Sequence, residues 1–163
     1  MQKYLLKKAG QLLHLLQAGG YKITFAESCT GGLLAAAFTS CPGASDALQM
    51  SFVTYADSAK EQLLGVPAAM LLEHTAVSAP VAAAMAQGAK NRAAADLALA
   101  VTGWAGPAGF SEDWPVGQVY IAAAWQEQVQ VWRYQFPGGR QLVRQQAALA
   151  ALQQGLNLLE KPN

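Results

Sequence analysis

The segment Leu97 to Thr102 reads LALAVT and is apolar at all but its last position. That is the pattern of a strand buried on both faces, in a sheet covered on both sides. It runs into a glycine-rich loop, Gly103-Trp104-Ala105-Gly106-Pro107-Ala108-Gly109. The ends of such strands are where α/β folds place ligands. Another strand end of this kind lies earlier. Tyr21 to Ala26 is strand-like, with Ile23 and Phe25 on one side and Lys22 and Thr24 on the other. It passes through Glu27-Ser28-Cys29-Thr30-Gly31-Gly32 into an Ala-rich helical segment from Leu33 to about Thr39. A helix start leaves N–H groups unpaired and presents the positive end of a dipole. An anion or a developing oxyanion is stabilised in that position. Ser28 puts a nucleophile in the same loop. The simpler reading is an ordinary strand-to-helix turn with Thr30 as the helix N-cap.

The rest of the chain fits around these two strand ends. Leu5, Ala9, Leu12, Leu13 and Leu16 have the spacing of one helix face, and Gly19-Gly20 ends that helix. Cys41-Pro42-Gly43 stops the helix after the serine loop. A second strand is predicted over Met50 to Tyr55, then a short helix over Asp57 to Leu64. Asp57 or Ser58 can cap that helix, and Gly65 can end it. Tyr55 at the strand end and Lys60 in the following helix then approach one edge of the sheet. Pro67 to Leu72 is a further short helix. Ser78 caps a longer one, with Pro80 in its first turn, reaching about Ala94. Gly117 to Trp125 and Val129 to Phe136 form a hairpin across Gln126-Glu127-Gln128, so at least one strand is antiparallel. A last helix runs from about Arg140 to Leu159, with Leu142, Leu149, Leu152, Leu156 and Leu159 on one face. No linker or repeat divides the 163 residues, which read as one α/β domain, 1–163, with a mixed sheet.

Composition excludes several classes of function. Apolar residues make up 53% and charged ones 13%, which argues against disorder. The net charge is +1 without a dense Lys/Arg cluster, so nucleic-acid binding lacks its electrostatic footprint. No stretch is apolar and long enough to span a bilayer, and the lysines, Gln11 and His14 break up any leader-like run near the start. The expectation is a cytoplasmic protein with no membrane or nucleic-acid partner. The two cysteines, Cys29 and Cys41, are not a disulfide framework. No His, Cys or acidic spacing suits a metal.

A serine nucleophile needs a base. His14 falls on the polar side of the first helix, and His74 beside Glu73 has nothing to recommend it over a loop role. Lysine is the alternative. Its ordinary pKa of about 10.4 requires burial before it can accept a proton. Lys60 is the lysine placed for this, with Tyr55 near enough to relay a proton. From spacing alone the simpler reading is a solvated helix lysine paired to Asp57 or Glu61. Cys29 is the rival nucleophile, although a thiol beside Ser28 is more often a small core residue. Arg140 and Arg144, four apart on one helix face, can bind a phosphate or carboxylate or be a solvated helix start.

Six of these pieces fall in a familiar order: AESCTGG (Ala26 to Gly32), YADSAKEQLLGV (Tyr55 to Val66), AVS (Ala76 to Ser78), TGWAGPAG (Thr102 to Gly109), PVG (Pro115 to Gly117) and FPGGRQLVR (Phe136 to Arg144). The chain resembles the CinA carboxy-terminal domain family, the PncC-type nicotinamide-nucleotide amidases, over nearly its whole length. The resemblance implies a three-layer α/β/α sandwich with a mixed, mostly parallel central sheet. It implies hydrolysis of the carboxamide of nicotinamide mononucleotide to nicotinate mononucleotide and ammonia, in pyridine-nucleotide recycling, with no cofactor and no metal. The family's nucleophile falls on Ser28, its lysine base on Lys60 and its site tyrosine on Tyr55. Around these, backbone N–H groups at Thr30, Gly31 and Gly32 are expected to hold the oxyanion. Thr102, Gly103 and Gly106 are expected to approach the nucleotide, and Arg140 its phosphate. A homodimer is expected by analogy. Members usually carry Ile at Trp104, Gly or Asp at Ala108, and Gly at Thr75. They usually carry Glu at Ala79, Lys at Trp114 and Asp at Gly139. Such changes bear on the pocket: the alternatives to the expected activity are a paralogue that binds without catalysis, or an amidase for another amide.

Overall fold

The computed structural model describes residues 1–107 and 115–160, so the expectations placed on Ala108, Gly109 and Trp114 lie outside it. The chain order is α1 (Gln2–Gly19), β1 (Ile23–Glu27), α2 (Leu33–Thr39), a 3₁₀ turn (Ala44–Asp46), β2 (Phe52–Val53), α3 (Asp57–Leu64), α4 (Ala68–His74), α5 (Ala79–Ala93), β3 (Leu97–Gly103), β4 (Gln118–Trp125), β5 (Gln128–Gln135) and α6 (Arg140–Leu159). The strands form one sheet in the order β2-β1-β3-β4-β5. β1 pairs in parallel with β2 and β3, whereas β3–β4 and β4–β5 are antiparallel. Only β4 therefore runs against the other strands.

Alternation along the strands builds two unlike faces. In β3, Leu97, Leu99 and Val101 point one way, joined by Ile23 and Phe25 of β1 and Ile121 of β4, under α1, α2 and α6. On the other side lie Ala98 and Ala100 of β3, Ala26 of β1, and Ala122 and Ala124 of β4. This alanine face admits α5, which buries Val81, Ala82, Met85, Ala86 and Ala89 against it, with α3 and α4 outside. The result is the three-layer α/β/α sandwich. Burial of each large side chain on the first face is worth roughly 1.5–3 kcal/mol. The second face gains from the close approach of backbones. A Cβ added at Gly88 of α5 would lie 1.9 Å from the Leu64 carbonyl oxygen, so the α3–α5 contact requires glycine there.

Several local expectations need correction. β1 is buried at every residue, Thr24 included, because its neighbours cover both faces. The strand expected over Met50 to Tyr55 is two residues long. At its edge, side chains replace ladder bonds: Thr24 Oγ1 donates to the Met50 carbonyl and Ser51 Oγ to the Phe25 carbonyl. The N-cap of α3 is Ala56 and no side chain caps it; Asp57 is drawn to Lys60 instead. Ser78 is the N-cap of α5, but its hydroxyl turns back to the Thr75 carbonyl. The α6 face centres on Val143, Ala147, Ala151 and Leu152, while Leu142 is exposed. Small residues prevail there because α6 packs on both α1 and the sheet; a Cβ at Gly155 would stand 3.2 Å from Leu12 and Leu99.

Candidate active site

The sheet order sets the location. From β1 the chain leaves through α2 on one face to reach β2, then returns over the other face through α3, α4 and α5 to β3. The carboxyl ends of β1 and β3 are adjacent at this switch, the place where open α/β sheets bind ligands. Ser28 follows β1 directly, and its N–H donates to the Val101 carbonyl of β3 at 2.9 Å. A cavity of about 610 Å³ opens here, lined by Ser28, Lys60, Tyr55, Thr102, Trp104 and Arg140 among others. That volume lies within the range of small-molecule sites. Trp104 therefore forms part of the wall without closing the cavity.

The serine loop is held from two sides. From beneath, Glu27 shares the face of Ile23 and Phe25 by strand alternation, which aims its carboxylate at the start of α2. It is fully buried and accepts N–H bonds from Gly32 (3.0 Å), Leu34 (3.1 Å) and Ala35 (2.9 Å). The anion expected at this helix start is therefore supplied by the chain itself. From above, Arg144 of α6 donates from Nε to the Cys29 carbonyl (3.1 Å) and from Nη2 to the Thr30 carbonyl (2.8 Å). Neither residue was marked for this by sequence reasoning. The signal available was an acid at a strand end before a helix whose N-cap, Gly32, has no side chain to offer.

These bonds redistribute the N–H groups of the loop. Gly32 donates to Glu27 and Gly31 donates to the Ser28 carbonyl, so both are already used. Thr30 is not the cap of α2. The Cys29 and Thr30 N–H groups have no acceptor in another residue among those described. Cys29 packs in the core, where burial pushes its thiol up to about 12, which keeps it protonated.

Lys60 is 1% exposed. Its Nζ donates to the Tyr55 main-chain carbonyl (3.3 Å) and to Asp57 Oδ1 (3.4 Å). Burial holds the Lys60 pKa below the ordinary lysine value, and the Asp57 charge opposes that shift only in part. A solvated surface lysine is thereby ruled out. Among the described residues, Lys60 Nζ and Ser28 Oγ are not bonded to each other; both line the cavity.

Tyr55 behaves differently from expectation. Its carbonyl, not its phenol, meets Lys60, and its hydroxyl accepts from Arg140 Nη2 at 2.7 Å. The side chain is 58% exposed at the cavity rim. Arg140 Nη1 also donates to the Gly106 carbonyl (2.7 Å), which ties α6 to the second loop. No carboxylate among the described residues pairs with Arg140. Arg144, by contrast, is committed to the serine loop. Thr102 Oγ1 is committed to the Ala76 carbonyl (2.7 Å), which fixes the far wall. Gly103 has a packing reason as well: a Cβ there would stand 2.8 Å from the Gln118 carbonyl of β4. His14 is exposed on α1, and His74, beside Glu73, lies outside the cavity lining.

Fold and site together define an α/β/α protein with a serine-bearing loop at a topological switch. A family model described as the CinA C-terminal domain matches residues 6–159, and the chain belongs to that family. It is 52% identical over 138 residues to a CinA-like protein of Geobacter sulfurreducens, an alignment spanning 85% of this chain and 33% of that protein. The chain thus spans about a third of the length of the curated relatives it matches. A competence/damage inducible protein from Agrobacterium tumefaciens superposes with a TM-score of 0.93 at 36% identity, covering 97% of this chain and 96% of that one. A competence-damaged protein (CinA) superfamily protein from Escherichia coli gives 0.92 at 37%, covering 94% and 90%. Among the described residues, no helix is long and apolar enough to cross a membrane.

Proposed function

We propose that the chain hydrolyses the carboxamide of a nicotinamide nucleotide, releasing ammonia and the corresponding carboxylate. One observation carries this reading: a lysine buried to 1% exposure, with its pKa lowered, in the same cavity as a serine on a braced loop. Ordinary folds avoid burying a lysine whose charged partner among the described residues is a single half-exposed aspartate. A proton-accepting role accounts for retaining one here.

In this mechanism neutral Lys60 takes the Ser28 proton as Oγ attacks the amide carbon. The Cys29 and Thr30 N–H groups receive the oxyanion, since those of Gly31 and Gly32 are occupied. Lys60 returns its proton to the leaving nitrogen, and the C–N bond breaks to give ammonia and an ester on Ser28. Water, deprotonated by Lys60, then cleaves the ester. Proton traffic passes through Lys60 directly, because the Tyr55 hydroxyl is engaged by Arg140. Arg140 and Tyr55 at the rim are read as the phosphate end of the site, since Arg140 lines the cavity and has no carboxylate partner among the described residues.

The test is ammonia and nicotinate mononucleotide formation from nicotinamide mononucleotide by the purified protein, with free nicotinamide as a competing substrate. Preference for the nucleotide supports the reading. No ammonia from either compound would sink it.

A further inference from the structure

Among the described residues, three that are not glycine have positive φ: Ala94 at 47°, Gln126 at 52° and Thr75 at 63°. Two have local reasons. Ala94 ends α5 in the left-handed conformation, with ψ 43°. Gln126 opens the two-residue turn between β4 and β5, where hairpin geometry demands positive φ. Thr75 also ends a helix, α4, but not in the left-handed conformation that helix ends favour. Its ψ is 162°, a combination that is essentially confined to glycine. Its side chain is also β-branched, which adds crowding.

Thr75 carries a second penalty. Its Oγ1 is buried and has no hydrogen-bond partner among the described residues. Both penalties sit in the wall of the cavity that holds Ser28 and Lys60. The surrounding segment is fixed. Ser78 Oγ donates to the Thr75 carbonyl at 3.0 Å, and Thr102 Oγ1 holds the next carbonyl, Ala76, at 2.7 Å. Glycine would remove the strain and the orphaned hydroxyl together, so stability does not account for threonine. Thr75 lines the cavity, but its Oγ1 is shielded in this rotamer; rotation about χ1 turns the unpartnered hydroxyl toward the cavity's occupant.

We infer that Thr75 is a specificity-determining residue whose hydroxyl hydrogen-bonds an uncharged polar group of the substrate, the carboxamide or a ribose hydroxyl. This rests on the proposed amide hydrolysis for the identity of the substrate, but not for the existence of the contact. A hydroxyl both donates and accepts, so either group satisfies it.

The experiment measures nicotinamide mononucleotide binding by calorimetry in a Ser28→Ala background, which prevents turnover. Thr75→Ser keeps the hydroxyl and binds within about twofold of the parent. Thr75→Val keeps the branching without the hydroxyl and binds roughly five- to tenfold more weakly, the value of one hydrogen bond. Thr75→Gly weakens binding similarly while melting at a higher temperature than the parent. The same loss with free nicotinamide assigns the contact to the carboxamide; a loss confined to the nucleotide assigns it to the ribose. Undiminished binding by both Thr75→Gly and Thr75→Val overturns the inference. If the parent binds no nicotinamide compound, the amidase reading fails by itself. The comparison then moves to whichever of a panel of nucleoside monophosphates and aryl carboxamides binds the parent. Equal binding by Thr75→Val, or no binder in the panel, overturns the inference too.

Discussion

Replacing Glu27 by Gln tests how the serine loop is held. Oε2 accepts from Gly32 and Leu34 at 3.0 and 3.1 Å, and Oε1 accepts from Ala35 at 2.9 Å. A glutamine with its oxygen at the Oε2 position keeps two of these bonds. Its amide nitrogen then faces the Ala35 N–H, donor against donor. Leaving that buried N–H unpaired costs about 1–3 kcal/mol. The two surviving bonds lose their charge assistance, roughly 1 kcal/mol between them after relaxation. The sum is about 3 kcal/mol, and for a chain of this size it lowers Tm by roughly 6–12 °C. Thermal melts by circular dichroism, with urea midpoints at 25 °C, read this without reference to activity. A variant melting within about 2 °C of the wild type would show that the carboxylate does not hold the helix start, and the account of the loop would be wrong.

Other consequences follow from the same geometry. Gly88→Ala pushes a Cβ against the Leu64 carbonyl and costs roughly 3 kcal/mol, seen as a lowered urea midpoint; an unchanged midpoint refutes the close α3–α5 contact. The proposed mechanism needs neutral Lys60, so kcat/KM is expected to rise with pH through an apparent pKa below about 10.4. Asp57→Asn removes the charge that raises the Lys60 pKa, so the rise moves to lower pH; a shift the other way contradicts the assignment. The same group gives a stability signature. Between the lowered folded pKa and the unfolded value, the unfolded chain binds the extra proton, so stability increases with pH across that window. Lys60→Met abolishes this dependence in pH-resolved denaturation, and an unchanged dependence would assign it elsewhere.

Much of this could be read from residues alone, for identifiable reasons. α2, α3 and α6 have the expected limits because glycine or proline punctuates the chain around them and apolar periodicity fills them. Ser28, Lys60 and Arg140 were expected to converge, and they line one cavity because all three lie at the carboxyl edge of the sheet. What escaped were directions of side chains. The Tyr55 hydroxyl and carbonyl have different partners, and only the fold determines that Arg140 takes the first and Lys60 the second. The helix-start anion was foreseen as a ligand. It is Glu27, because strand alternation points that residue under α2. The Leu/Ala alternation of β3 was legible as an apolar run, but its two unlike faces acquire meaning only once α5 packs on the alanine side. Leu142 was grouped with the α6 core by periodicity, yet it lies over Gly138 outside it.

The central claim is that Ser28, and not the adjacent Cys29, attacks the amide with Lys60 as its base. Ammonia release from nicotinamide mononucleotide by Ser28→Ala, Cys29→Ala and Lys60→Met, measured side by side with wild type, tests it most directly. The account predicts losses of at least about 10³-fold for Ser28→Ala and about 10²-fold or more for Lys60→Met, with Cys29→Ala retaining most activity. Retained activity in Ser28→Ala, or its loss in a folded Cys29→Ala, would contradict it.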